Sequence, residues 1–365
     1  MQRKGYNRTL IPRAVVAGIH QETPACTGGV GNIFQKGLAM KRMGLWHKGI
    51  GLALLLGLCL PGIGLSAETP VGQSSQHSVI LVSWDGAGMS LVQELLKSNS
   101  LPNLAALIKD GSLQEIEVVG HTTCTKPGHA QMLTGLDPET TGIFNNSKYR
   151  PVPEGYTIFE RVQKLLGKDG IATILVSAKT DNVGSRTPEE IAKSKKGVKA
   201  DAVVGDPYSL TKKTLDVCDT TDRLAAETGT VFLKYLEQYK TRRFLAFVHF
   251  ADPDKMGHKY GSASKEYRQG AIDCDAELGK IVEWLKKEKR YDTTRIYVTA
   301  DHGFDVNAKS HTNAPHISLA TNDKQVTHGG TQADIPTTIL QGFGVDLEKL
   351  NPKVIGKPLT AAVAK

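Results

Sequence analysis

The sequence predicts an α/β protein built on a largely parallel, buried sheet, and three observations predict it. From His77 onward, short apolar runs rich in β-branched residues alternate with segments of helical periodicity, the pattern of a sheet covered by crossover helices. Three of those runs lead into acidic residues within two positions of their ends. The chain of 365 residues, 40% hydrophobic and 22% charged, is long enough for one large core or two modest ones. That balance excludes disordered, fibrous and disulfide-scaffolded classes.

Residues 1–39 precede a start at Met40 or Met43, show no periodicity, and read as an over-extension of the reading frame. From Met40 the chain runs through Lys41, Arg42 and Lys48 into a mostly apolar stretch, Ile50 to Leu65, that closes on Ser66-Ala67. Residues 40–67 thus have the order of a secretory signal peptide cleaved near Ala67, so export to a periplasm or the medium is expected. The apolar run is shorter than the roughly 20 residues that span a bilayer, and no stable membrane anchor is expected. Cys59 follows Leu58 rather than a small residue, which argues against lipidation. The formal charge of +8 also resolves here: residues 1–67 hold eight basic side chains and one acidic, Glu22, leaving 37 basic against 36 acidic. Nucleic-acid binding by charge therefore loses its support.

Residues 68–76 read as a linker to a catalytic domain over 77–365. Its strands are expected at Val79 to Trp84, Leu113 to Val119, Ile171 to Ser177, Phe244 to Phe250 and Arg295 to Thr299. Helices are expected near Leu91 to Lys97, Pro102 to Lys109, Ile158 to Leu166, Arg223 to Tyr239, Lys265 to Glu288 and Ile335 to Gln341. The polar, Lys-rich segment of about 180–221 reads as an insertion or cap over the core. Three cysteines follow the signal sequence, Cys124, Cys218 and Cys274. An oxidising compartment would permit a Cys218 to Cys274 bridge.

Val79 to Trp84 runs into Asp85, Phe244 to Phe250 into Asp252 and Asp254, and Arg295 to Thr299 into Asp301. In open α/β sheets the ligand site lies beyond the carboxyl ends of the strands, so these acids should converge on one edge. Histidines accompany them in Asp254 to His258, in Asp301-His302-Gly303 and in His328-Gly329-Gly330. Carboxylate and imidazole together suit Zn²⁺ and neighbouring transition metals, and the number of donors supports two divalent ions. Pro127 fits the first turn of a helix running through Met132 and Leu133, which places Thr125 at the helix entrance, where backbone N–H groups favour an anion. Alone, Thr125 reads as a helix cap. Beside a metal cluster its hydroxyl becomes a nucleophile, because a cation can hold it as an alkoxide.

Six blocks in order, Asp85-Gly86, Thr125 to His129, Thr134 to Asn146, Asp254 to His258, Asp301-His302-Gly303 and His328-Gly329, resemble the type I phosphodiesterase/nucleotide pyrophosphatase family of the alkaline phosphatase superfamily. The resemblance covers most of residues 78–342 and implies a three-layer α/β/α, alkaline-phosphatase-like fold with a small insertion. It implies one metal site from Asp254, His258 and His328, and a second from Asp85, Asp301, His302 and the Thr125 hydroxyl. Asn146 matches the asparagine that, with the N–H after the nucleophile, donates to a phosphoryl oxygen. Asp252 and His249 match no ligand position and read as supports.

The expected function is an exported two-metal hydrolase of small-molecule phosphate esters, a phosphodiesterase or pyrophosphatase working through a phosphoryl-threonine. The nucleotide-binding features of the family are absent from Ser177 to Gly184, so nucleotide specificity is not implied. Lys179, Tyr149, His311 and His316 are the remaining substrate-contact candidates. Sulfatase-like, phosphonate and phosphomonoester hydrolysis stand as alternatives on the same scaffold. Cys124, however, has Pro127 at its third position, out of register for a sulfatase nucleophile. From a different class, a non-catalytic exported binding protein also stands.

Overall fold

The computed structural model describes residues 76–361. The segments read from the sequence as an over-extended N-terminus (1–39), a signal peptide (40–67) and, for residues 68–75, a linker lie outside the described residues. Eight strands form one sheet: β1 (Ser78–Trp84), β2 (Ser112–Glu117), β3 (Ala172–Ser177), β4 (Val217–Thr220), β5 (Phe244–Phe250), β6 (Thr294–Thr299), β7 (His316–Thr321) and β8 (Gly330–Thr331). The order across the sheet is β4-β3-β5-β1-β6-β7-β2-β8. Among these strands β7 alone runs antiparallel to its neighbours, β6 and β2.

Every residue of β1, β3 and β5 is buried. This is why each reads in sequence as a nearly unbroken apolar run rather than an alternating one: a parallel strand is covered on both faces. The covering helices are α1 (Met89–Lys97), α2 (Pro102–Asp110), α3 (Thr125–Thr134), α4 (Pro138–Thr141), α5 (Ile158–Leu166), α6 (Pro188–Ser194), α7 (Ala225–Gln238), α8 (Asp252–Tyr260), α9 (Lys265–Lys287) and α10 (Asp334–Phe343). Apart from α6, they fall into two layers, with α1, α2, α7 and α8 gathered around α9 in one, and α3, α4, α5 and α10 packed together in the other. The architecture is the expected three-layer sandwich.

Local chemistry sets the element ends. In α5 the Thr157 side chain accepts from Glu160 N–H while the Glu160 carboxylate accepts from Thr157 N–H, a reciprocal cap. At the start of α9 the Ser264 side chain accepts from Tyr267 N–H. The segment expected as a cap holds α6 and then ends in β4, which pairs in parallel with β3 and extends the sheet by one strand. The Cys218 to Cys274 bridge does not form: all three described cysteines carry free thiols, and Cys274 is enclosed within α9's buried face. No described helix is long and apolar enough to cross a membrane.

Candidate active site

The parallel strands β1, β5 and β6 deliver their carboxyl ends to one edge of the sheet. Asp85 directly follows β1. Asp301 follows β6 by two residues, and α8 begins two residues after β5. Because α8 is helical, Asp254 and His258, four apart, share one face, with His258 Nε2 3.3 Å from Asp254 Oδ1. Two glycines allow these segments to meet. Gly86 has φ +74, donates its N–H to Asp301 Oδ1 at 3.0 Å, and has Phe304 so close that an added Cβ would lie 2.8 Å from its ring. Gly128 lets α3 press on the end of β6, where a Cβ would lie 2.7 Å from the Asp301 carbonyl oxygen.

Two groups of donor atoms result, Asp254 with His258 and His311, and Asp85 with Asp254 and His302, each within 4.8 Å of one another. Asp301 adjoins the second, its Oδ2 3.2 Å from His302 Nε2. Three observations fit this region to divalent cations. Asp85 Oδ1, Asp254 Oδ1 and Asp301 Oδ2 are buried oxygens without a hydrogen-bond partner. The Nδ1 atoms of His258, His302 and His311 face the carbonyls of Lys309 (2.8 Å), Gly303 (2.9 Å) and Thr123 (2.5 Å). A carbonyl only accepts, so each Nδ1 carries the proton and each Nε2 keeps its lone pair for a cation. The mixed oxygen and nitrogen donor set is the one that zinc and its neighbours take.

Lys179, expected as a substrate contact, lies at the centre instead. Its Nζ is 2.7 Å from Asp85 Oδ2 and 2.5 Å from Asp254 Oδ2, so one ammonium ties both groups together. Burial alone would raise the Asp85 carboxyl, yet Lys179 and the His249 hydrogen bond hold it well below its ordinary range. Burial and then the Asp85 charge push Asp301 upward. Two buried histidines stand behind the carboxylates. His249 Nε2 is 2.8 Å from Asp85 Oδ2, and His129 Nδ1 is 2.9 Å from the Thr125 carbonyl and 3.4 Å from Asp301 Oδ2. Burial pushes both imidazoles down to about 4, so both are neutral at pH 7. Asp252 takes no part in either group; its Oδ1 accepts from Ala225 N–H at the start of α7.

Thr125 is the first residue of α3, with Cys124 as the preceding cap residue. Its hydroxyl is buried, 3.5 Å from His302 Nε2. Asn146 reaches the same helix entrance, but its Oδ1 accepts the N–H of Lys126 at 2.9 Å. The backbone N–H expected to donate to substrate is therefore engaged, and Asn146 Nδ2 remains as the donor.

The expectation for His328 is not met. It is exposed, its Nδ1 faces the Gly329 carbonyl at 2.8 Å, and it joins neither group. His311 stands in its place, stacked on His302 with ring centroids 3.9 Å apart and its Nε2 3.1 Å from His258 Nε2. The physical reason lies in the loop after Asp301. The Asp305 carboxylate accepts from Ser310 Oγ and from the N–H groups of Thr312 and Asn313, folding the chain back so that His311 faces α8. His316 is exposed at the start of β7 beside Glu115 and joins neither group. Tyr149 lies under the Lys126 ammonium, 4.4 Å from Nζ to the ring centroid.

The fold and site together define a class: an α/β/α scaffold whose sheet edge gathers carboxylates and imidazoles beside a helix-entrance threonine. Residues 79–352 match the family model for type I phosphodiesterase/nucleotide pyrophosphatase, and the chain belongs to that family. It is 25% identical over 265 residues to human ectonucleotide pyrophosphatase/phosphodiesterase family member 7, covering 70% of this chain and 52% of that protein. It is 28% identical over 231 residues to mouse bis(5'-adenosyl)-triphosphatase enpp4, covering 63% and 48%. The chain thus spans about half the length of these curated relatives. Among solved structures, murine ectonucleotide pyrophosphatase/phosphodiesterase 5 in complex with AMP superposes with a TM-score of 0.52 at 13% identity, covering 74% of this chain and 95% of that one. TAB5 alkaline phosphatase gives 0.52 at 16%, covering 75% and 99%. At such identities these two structures bear on the fold alone.

Proposed function

We propose that the chain is an exported hydrolase of phosphate esters, a phosphodiesterase or pyrophosphatase, that uses two divalent metal ions, zinc by preference, and Thr125 as its nucleophile. One observation carries the reading: two carboxylate–imidazole groups sharing Asp254 meet beside a buried hydroxyl at a helix entrance. Asp254, His258 and His311 would hold one ion, and Asp85, Asp301, His302 and the Thr125 hydroxyl the other. When bound, such ions polarise a phosphoryl oxygen and lower the pKa of a coordinated hydroxyl. Thr125 Oγ1 is then placed to attack phosphorus. The Oγ–P bond forms as the P–O bond to the leaving group breaks, and water later hydrolyses the phosphoryl-threonine.

Asn146 Nδ2 supplies a donor for the charge on the non-bridging oxygens, and the dipole of α3 favours that charge at the helix entrance. His249 fixes the orientation of Asp85 as a neutral imidazole, and His129, also neutral, donates to the Thr125 carbonyl at the helix entrance. Export rests on the basic-then-apolar order of residues 40–67.

The test pairs metal analysis of the purified protein with turnover of bis(4-nitrophenyl) phosphate by wild type and Thr125→Ala. Bound transition metal, with a loss of ~10⁴-fold or more in the variant, on the scale of nucleophile deletions, is expected. Metal-free protein without turnover would favour the binding-protein alternative.

A further inference from the structure

Lys126 follows the nucleophile and is 5% exposed, and no carboxylate among the described residues hydrogen-bonds its ammonium. An ammonium has three N–H donors. Two go to neutral oxygens, the Asn146 carbonyl at 3.0 Å and Asn182 Oδ1 at 2.8 Å, and the charge sits over the Tyr149 ring. The third has no partner among the described residues. Burial accordingly pushes the Lys126 ammonium down from its ordinary value.

This residue lines a cleft of about 330 Å³ with Asn146 and Tyr149 from the core and Asp181, Arg186 and Asp206 from the 180–221 segment. The two carboxylates there are already engaged. Arg186 Nε pairs with Asp206 Oδ2 at 2.7 Å, and the same guanidinium also pairs with Asp181. The cleft thus holds two cations and two carboxylates, but both carboxylates go to Arg186, so Lys126 keeps an N–H donor without a partner among the described residues, beside the asparagine and threonine of the reacting centre.

We propose that this cleft is a specificity subsite for a second oxyanion, a carboxylate or phosphate on the organic part of the substrate, recognised by Lys126 Nζ. The proposal rests on the phosphate-ester reading and adds a substrate class to it: small phosphate esters whose organic substituent is itself acidic. A charge-assisted hydrogen bond in a desolvated cleft gives the discrimination. The aromatic face of Tyr149 holds the ammonium in place without neutralising it.

The test is isothermal titration of the metal-loaded protein with three size-matched probes: ethyl phosphate, 2-phosphoglycolate and 1,2-ethylenediphosphonate. Wild type is expected to bind at least one of the two probes that carry a second acidic group ~10- to 100-fold more tightly than ethyl phosphate, and the preferred probe tells carboxylate from phosphate. Lys126→Met should bring that ratio to about one, while Lys126→Arg, which keeps the charge, should retain a preference. Equal binding of all three by wild type overturns the subsite while leaving the phosphate-ester reading intact. A uniform loss in Lys126→Met with the ratio unchanged marks a structural role and also overturns it. Failure of wild type to bind any of the three sinks the reading and the subsite together.

Discussion

Substitution Gly128→Ala tests whether the close approach of α3 to the end of β6 builds the site. The added methyl would lie 2.7 Å from the Asp301 carbonyl oxygen and 2.9 Å from Asp301 Cβ, against an ordinary contact of 3.4 Å or more. The shortfall of roughly 0.7 Å falls on backbone at the end of a buried strand, which has no rotamer to turn away, and overpacking of this kind costs about 1–3 kcal/mol. Because Thr125 lies three residues earlier on the same helix, a shift that relieves the clash moves its hydroxyl away from His302 and Asp301. A displacement approaching 1 Å costs up to ~10²-fold in rate. Urea unfolding at constant slope reads the stability loss, and kcat for bis(4-nitrophenyl) phosphate reads the rate loss. A variant within 0.5 kcal/mol and threefold of wild type, both by order-of-magnitude criteria, would refute the packing argument.

Three further outcomes are expected. Asn146→Ala, which removes the remaining side-chain donor at the helix entrance, should lower kcat by about 10²–10³ with bound metal unchanged by elemental analysis; a smaller loss means Asn146 does not meet the developing charge. Chelation followed by a thermal melt should lower Tm and abolish turnover, with both restored by zinc. Ligand at 100 times its Kd contributes about 2.7 kcal/mol, and an unchanged melt after verified metal removal contradicts the two-ion reading. His77, pushed down to about 3 by burial and by the nearby Arg295 and Arg243 charges, stays neutral in the folded chain, whereas the unfolded chain protonates it near 6.5. The unfolded state then binds more protons, so this contribution is fully present above pH 6.5 and is lost as pH falls toward 3. His77→Gln should flatten that acid slope in a stability–pH series, and an identical slope counts against it.

The sequence made the sheet legible where strands were buried on both faces. Phe244 to Phe250 was placed to the residue, and β1, β3 and β6 to within one, because parallel strands announce themselves as apolar runs. It did not make β4 legible, since Val-Cys-Asp-Thr is a half-polar edge strand, or β7, which follows a polar loop and starts on an exposed histidine. Helix α8 was hidden for another reason. Asp-Pro-Asp-Lys-Met-Gly-His-Lys-Tyr lacks an apolar period and holds a proline and a glycine, yet Pro253 falls in the first turn, where its missing N–H is harmless.

Asp85, Thr125, Asp254, His258, Asp301 and His302 converge because strand ends and helix starts are local facts. That His311 rather than His328 lies with Asp254 and His258 was not legible, because the Asp305 turn that carries His311 back to α8 is a tertiary contact. Only the histidine's place in a loop following Asp301-His302-Gly303 hinted at it. His249 was visible as a histidine in an otherwise apolar strand, a signal for a buried partner such as Asp85.

Anomalous diffraction from crystals of the metal-loaded protein, with wavelengths on either side of the zinc absorption edge, tests the central claim most directly. Two peaks are expected, one among Asp254, His258 and His311, the other among Asp85, Asp301, His302 and the Thr125 hydroxyl. A peak ligated by His328 in place of His311, or no peak at these side chains in protein that still turns over a phosphodiester, would contradict the account.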